Sequence, residues 1–118
     1  MCIRDRLSKC ANVPIARNKP LLGDGNFTRE SGIGIQYVMH DPLVMFGTHP
    51  AFTGREGEVV LGKKSGKASI DYKLNQLGLG EANDEQNAKI LDLVKQAGIK
   101  KRDILSDDEF KSIATSVI

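Results

Sequence analysis

The two histidines are the first candidates for acid-base or metal chemistry. His40 and His49 stand nine positions apart in the 118-residue chain, and Asp41 follows the first of them. A catalytic zinc site uses about three protein ligands in fixed geometry, and the sequence contains neither an HxH nor an HExxH pattern. We therefore expect no metal ligands in this chain. His49 lies in a glycine-flanked turn, where it is a candidate acid or base, although an ordinary surface-loop histidine fits the same pattern.

A glycine- and lysine-rich segment, GEVVLGKKSGK at residues 57–67, is the second place where chemistry is possible. Gly57, Gly62 and Lys63 match the first three fixed positions of the phosphate-loop motif GxxxxGK[ST]. The next position is Lys64, where that motif needs a hydroxyl group for magnesium, and an apolar run of strand type lies inside the loop. The segment is therefore not a typical nucleotide-binding loop.

The same segment has two other interpretations, and the sequence does not choose between them. In the first, Gly62 to Gly66 form a tight, positively charged turn before a helix whose free N-terminal amides receive an anion. Lys63, Lys64 and Ser65 would then meet a carboxylate or a phosphate, so Lys63 and Ser65 are candidate substrate-binding residues. In the second, Ser65 simply caps the helix and the lysines are solvated.

Three amphipathic helices are predicted after Ser65, because apolar residues recur there at helical spacing. The first runs from about Gly66 to Leu77 and stops at Gly78. The second has Asn83 as its N-cap, with Gln86 three positions later in a capping-box pattern, and it ends at Gly98. The third opens with the same pattern at Ser106 and Glu109. Their apolar stripes predict a three-helix unit.

The front half of the chain has little regular periodicity. Residues 11–29 contain two prolines and two glycines and are expected to be an irregular linker. Residues 30–60 predict short strands or single helical turns, with Glu58 to Leu61 as a strand. Residues 1–10 show no cap and no periodicity, so we expect a non-native leader and predict no element of the fold from it.

The predicted organisation therefore has four parts. A leader at 1–10 and a linker at 11–29 precede a small α/β subdomain at 30–62 and a three-helix subdomain at 63–118. The fold class is α+β, mostly α: an irregular linker and short strands followed by a three-helix unit.

Composition limits the classes of function. The chain is 40% hydrophobic and 27% charged, as is ordinary for a globular protein, and its net charge of +2 is spread evenly. The two short basic clusters do not form a polyanion-binding face, so no nucleic acid is expected. No apolar run approaches the roughly 18 residues of a membrane span. Cys2 and Cys10 lack CxxC spacing, which favours a reducing, cytoplasmic setting.

Several short motifs occur together in a recognisable order. They are NKP, Gly23, Phe27, ESGI at 30–33, Gly54-Arg55 and LGKKSGK at 61–67. Over residues 11–118 the chain resembles the region that follows the barrel in the isopropylmalate synthase, citramalate synthase and homocitrate synthase family. There the motifs read F-x-H-E-[SA]-G-I-H, dP-x-x-v-G-R and LGKHSGR.

The resemblance implies a parent enzyme with a TIM barrel to which this region is appended. That barrel holds a divalent metal (Mg, Mn or Zn) with an Asp and an HxH pair, and it joins an acyl-CoA to a 2-oxo acid, as in amino-acid biosynthesis. The post-barrel region crosses to a partner subunit, so a homodimer through this region is implied. We expect the chain alone to bind no cofactor and to be inactive. The resemblance places Glu30 and Ser31 at the mouth of the barrel, as candidate substrate-binding residues, with Lys63 supporting the same region. Glu30 is also, with His49, a candidate catalytic residue.

Three departures from the family motifs bear on the chemistry. Gly34 stands where the family has the His of GIH, Lys64 and Lys67 replace the His and Arg of KHSGR, and Met45 replaces a Tyr. Tyr37 or His49 are candidates for the lost role. The departures leave open a related acyl-CoA lyase or aldolase of the same superfamily, and a stand-alone helical interaction domain is a further alternative.

Overall fold

Helices make up most of the regular structure. The structure, a computed structural model, describes residues 3–118. Its α-helices are α1 (Ile3–Ala11), α2 (Ile35–His40), α3 (Lys67–Leu77), α4 (Asp84–Lys101) and α5 (Asp107–Val117), and its strands are β1 (Thr28–Arg29) and β2 (Glu58–Val59). Two 3-10 turns, Pro42–Val44 and Pro50–Thr53, lie between α2 and β2. The predicted class, α+β and mostly α, is confirmed. Within residues 3–118, no helix has the length and apolar character needed to cross a membrane.

The three C-terminal helices bury one another's apolar stripes, as predicted. Helix α4 packs against both α3 and α5. Their shared core consists of residues that are at most 7% exposed: Leu61, Ile70, Leu74, Ile90, Val94, Leu105, Phe110 and Ala114. Burying each large apolar side chain contributes roughly 1.5–3 kcal/mol, so the spacing of these residues is the main reason the helices associate.

The helix ends follow the capping signals of the sequence. Helix α3 stops at Gly78, whose φ of 66° is the left-handed conformation that glycine adopts without strain. At the start of α4, the backbone N–H of Asn83 donates to Gln86 Oε1 at 3.0 Å. At the start of α5, the N–H of Ser106 donates to Glu109 and the N–H of Glu109 donates back to Ser106 Oγ. The predicted starts of α4 and α5 are thus confirmed.

The prediction that the second helix ends at Gly98 is wrong. Helix α4 continues to Lys101, and its C-cap is Arg102, whose N–H donates to Gly98 O at 2.9 Å. Gly98 is buried, and a β-carbon there would lie 3.0 Å from the backbone N of Lys63 and 3.1 Å from Gly62 Cα. Glycine at this position therefore permits the helix to approach the Gly62 turn closely rather than ending the helix.

The front half is held by a short parallel sheet and a second small core. Strands β1 and β2 pair in parallel, with Thr28 opposite Glu58. The predicted strand at 58–61 is present at its first two residues, and Leu61 continues into an isolated antiparallel bridge with Leu105. Phe27 packs edge-on against Phe46 at 5.3 Å between ring centroids. Residues 11–29 are irregular, as expected, apart from Ala11 in α1 and the strand β1. Their role as a linker stays a prediction.

Helix α1 covers most of the leader, for which the sequence predicted no element. Met1 and Cys2 lie outside the described residues. Helix α1 buries none of its residues, and Arg4 Nη2 donates to Thr53 O at 2.6 Å. Leucine, arginine and lysine are good helix formers, so a helix forms here without an amphipathic core face. Whether the segment is native stays a prediction.

Gly98→Ala tests the close approach of α4 to the turn. In an exposed helix interior this change stabilises by roughly 0.5–1 kcal/mol. Here the added methyl group meets backbone atoms, so we expect the free energy of unfolding to fall by about 1–2 kcal/mol in urea denaturation. Gly47→Ala is the matched control, because a β-carbon there meets nothing within 4 Å. A Gly98→Ala variant more stable than the wild type would contradict this packing.

The acid stability of the chain should depend on Glu109. A hydrogen bond from Lys101 Nζ, and then the Ser106 N–H, lower the pKa of this carboxyl below its ordinary value. Because the folded-state pKa is depressed, the carboxylate stabilises the fold above its unfolded-state pKa, and that contribution is lost as pH falls through the folded-state pKa. Glu109→Gln should therefore lower the melting temperature at pH 7, and the difference from wild type should vanish in acid.

The exposed loop residue Glu56 supplies the control for that experiment. Glu56→Gln should change the melting temperature at pH 7 much less than Glu109→Gln does. A Glu109→Gln effect that is the same at pH 7 and in acid would show that the charge of Glu109 does not contribute.

Candidate functional site

The parallel sheet brings the two longest sequence motifs together. β1 ends at Arg29, whose carbonyl accepts a hydrogen bond from Val60 N at 2.9 Å as the chain leaves β2. Because the carboxyl ends of parallel strands lie at one edge of a sheet, Glu30 after β1 emerges beside the residues that follow β2. The ESGI and LGKKSGK motifs therefore meet at this edge.

Glu30 holds the lysine-bearing turn directly. Its Oε1 accepts a hydrogen bond from the backbone N–H of Lys64 at 2.9 Å. A β-carbon at Gly62 would lie 2.6 Å from the same oxygen, so a side chain there would displace the Glu30 carboxylate. A carboxylate that accepts a backbone N–H is a charge-assisted bond, stronger than a neutral one. Glu30 thus positions the backbone of the turn.

The turn itself is closed by Ser65. Ser65 Oγ accepts from Gly62 N at 2.9 Å, and Ser65 N donates to Gly62 O at 3.2 Å. The serine is only 3% exposed. Helix α3 has Gly66 as its N-cap without a side-chain cap, so the alternative in which Ser65 caps the helix is wrong. The structure places Ser65 inside the turn; a role in substrate binding stays a prediction.

Two glycines let the motifs cross at backbone contact. A β-carbon on Gly32 would lie 2.6 Å from Gly66 Cα, and one on Gly66 would lie 3.1 Å from Gly32 Cα. The Ser31 hydroxyl beside this crossing accepts from Ile33 N at 3.4 Å. The 31–33 loop therefore lies against the start of α3, the helix end that the sequence suggested as an anion site.

A cleft of about 390 Å³ opens beside the turn. It is lined by Glu30, Lys63, Lys64, Gly98, Ile99, Arg102, Asp103 and Ile104. Two of the predicted site residues, Glu30 and Lys63, share this cleft. Most of the other lining residues come from the end of α4 and the residues just after it. The sequence did not predict them, because the cluster Lys100, Lys101 and Arg102 is typical of a solvated helix end. Gly98 is the residue from which this contact could have been predicted, because a glycine within a helical pattern can mark a place where another backbone approaches the helix closely.

His49 lies apart from the cleft. Its Nδ1 accepts a hydrogen bond from Ala51 N at 3.2 Å, at the start of the Pro50–Thr53 turn. When the ring is neutral, this bond places the proton on Nε2. The structure therefore gives His49 a capping role in the loop, and its role as an acid or base stays a prediction.

Two of the departures from the family motifs are neighbours in space. Gly34 has a φ of 72°, and a β-carbon there would lie 3.9 Å from Met45 Cε. Tyr37, one candidate for the lost polar role, lies on the following helix α2, where it is 61% exposed. Gly34 and Met45, which stand where the resemblance implies a His and a Tyr, are therefore adjacent to each other.

The described part of the chain has no set of side chains that could bind the metal expected in the parent enzyme. Within residues 3–118, no three His, Cys, Asp or Glu side chains come together as a metal site requires.

A double-mutant cycle measures the coupling of Glu30 to Gly62. Glu30→Ala removes a charge-assisted bond and should cost roughly 1.5–3 kcal/mol of unfolding free energy. Gly62→Ala should cost a similar amount, because the new methyl group displaces the same carboxylate. The double variant should be little worse than either single variant. If the two single-variant losses of unfolding free energy sum to the loss in the double variant within about 0.3–0.5 kcal/mol, the two residues do not interact.

The known proteins to which this chain is similar carry the names of synthases. Residues 21–102 match the family described as homocitrate synthase post-HMGL domain-like. A Methanosarcina mazei protein named after (R)-citramalate synthase is 34% identical over 112 residues, which are 95% of this chain and 23% of that protein.

Two further relatives carry the names of other synthases. An Ignicoccus hospitalis protein named after 2-isopropylmalate synthase is 35% identical over 92 residues, 78% of this chain and 23% of that protein. The homocitrate synthase of Methanothermobacter thermautotrophicus is 32% identical over 111 residues, 94% of this chain and 28% of that protein. The chain thus spans about a quarter of the length of these relatives. With its two motifs joined at one sheet edge and this match over most of its length, the chain belongs to the homocitrate synthase post-HMGL domain-like family.

Proposed function

We propose that this chain is the post-barrel accessory region of a metal-dependent enzyme that condenses an acyl-CoA with a 2-oxo acid, in the manner of 2-isopropylmalate synthase. The single observation that carries the proposal is the junction of Glu30 with the Gly62–Ser65 turn. This junction presents Lys63 and Lys64 at a cleft, where positive charge favours the arrival of anionic substrates.

In this proposal the chemistry belongs to the barrel, and the region described here orients and covers the reacting groups. Glu30 is a positioning residue, because its carboxylate holds the Lys64 backbone. The Gly34 and Met45 surface replaces two polar groups of the family motifs. A changed acceptor, or a lyase or aldolase reaction of the same superfamily, is the alternative that this replacement favours.

We also propose that the exposed apolar side chains of the front half pack against the barrel and a second subunit. Ile33 is 79% exposed and Phe52 is 86% exposed, while Tyr37, Leu43 and Val44 are 56–61% exposed. Exposed apolar side chains of this kind are available to another protein surface. They support a homodimer formed through this region.

A chimaera tests the proposed function. Residues 21–118 would replace the matching segment of the Methanosarcina mazei relative, and release of the CoA thiol would be followed with a panel of 2-oxo acids. We expect thiol release that requires one of these acids. A folded chimaera that releases thiol equally without any 2-oxo acid would contradict the condensation, and one that only cleaves a CoA thioester product would favour the lyase alternative.

Variants of the chimaera separate a positioning role from a purely structural one. Glu30→Ala and Lys63→Ala should each lower kcat/KM about tenfold or more, which corresponds to roughly 1.4 kcal/mol. Glu30→Gln keeps an acceptor for the Lys64 N–H and should recover much of the activity. Lys100→Ala, on the exposed side of α4, should be nearly silent. Loss of melting temperature without a change in kinetics for both site variants would remove these residues from the site.

A further inference from the structure

Three cationic side chains face the cleft without a partner in the described part of the chain. Lys63, Lys64 and Arg102 line it, and their charged groups make none of the ion pairs found in residues 3–118. Both carboxylates of the cleft already accept backbone hydrogen bonds. Glu30 accepts from Lys64 N, and Asp103 Oδ1 accepts from Ile104 N at 2.8 Å. These bonds leave both carboxylates negatively charged, so the three cations and the two carboxylates give the cleft lining a formal net charge of +1.

Arg102 occupies a backbone position that suits glycine. Its φ is 58°, in the left-handed region, where an L side chain costs roughly 1–2 kcal/mol. Helices commonly end with glycine in this conformation, as α3 does at Gly78. Arg102 lines the cleft from this position and makes none of the ion pairs found in residues 3–118, so its guanidinium is available to a ligand there.

The volume of the cleft favours the larger of the two anions that the sequence left open, a phosphate-bearing group. Its volume of about 390 Å³ falls in the range of organic-ligand pockets, roughly 300–1,000 Å³, and exceeds what one small carboxylate fills. Ile99, 56% exposed, and Ile104 add apolar surface beside the cations. An apolar wall with guanidinium and ammonium groups suits a ligand that carries phosphates next to a ring or a hydrocarbon.

We propose that this cleft binds the phosphate-bearing nucleotide end of a CoA thioester. Arg102 and Lys63 are its phosphate ligands, and Ile99 contacts its apolar part. The assignment rests on the proposed function for the choice of CoA, but the site itself is defined by the cleft. It gives the end of α4, which the sequence motifs do not include, a part in substrate binding.

Titration of the 118-residue chain tests the assignment without any catalysis. CoA, adenosine 3′,5′-bisphosphate, inorganic phosphate and pyruvate would be added separately, with amide chemical shifts and calorimetry as readouts. CoA and the bisphosphate should shift the amides of Lys63, Lys64, Ile99 and Arg102, and their affinity should fall as salt increases. Pyruvate producing the same shifts would instead assign a carboxylate. Inorganic phosphate binding as tightly as CoA would remove the nucleotide from the proposal.

Arg102→Gly is the decisive variant, because glycine keeps the left-handed backbone. It should weaken CoA binding at least tenfold while leaving the melting temperature equal or higher. Lys100→Gln, which changes an exposed lysine of α4 outside the cleft, should bind CoA as the wild type does. Unchanged binding in Arg102→Gly, or no binding of CoA to the folded chain, would overturn the cleft assignment. The chimaera assay would still decide the proposed function separately.

Discussion

The hydrogen bond from the Lys64 backbone to Glu30 is the interaction on which the arrangement of the site depends. It joins the end of β1 to the turn after β2, and therefore joins the two motifs. The turn is also approached from the other side by Gly98 of α4. Because all these contacts involve backbone, a side chain at Gly62 or Gly98 would move the lysines of the cleft.

The turn also links the two halves of the chain. Leu61 belongs to the core of the three helices, while Val59, two residues earlier, pairs with β1. Leu105 N donates to Leu61 O at 2.8 Å, which ties the α4–α5 connection to the same strand. The predicted subdomain boundary between residues 62 and 63 therefore falls inside a hydrogen-bonded turn, and the front half and the helices share this element.

Paired and unpaired lysines of the helical unit have different environments. Lys73 of α3 is almost buried, with 6% of its side chain exposed, and its Nζ donates to Asp107 of α5 at 2.8 Å. A buried ammonium group without a partner would be costly, so this pair follows from the packing of the helices. Lys63 and Lys64 are exposed and keep their solvation, which leaves their charge available to a ligand.

The helical unit could be predicted from the sequence alone, because apolar periodicity and capping depend on residues close together in the chain. The stripe of Ile70 and Leu74 and the capping box of Ser106 and Glu109 predict elements that are present. Glu30 and Lys63 were selected through their motifs. Their common cleft with Arg102 could not be predicted, because these residues are distant in the chain and meet only once the parallel strands have paired. The tertiary structure also decided the role of Gly98, since a glycine that ends a helix and one that admits a neighbouring backbone look the same until the neighbour is in place.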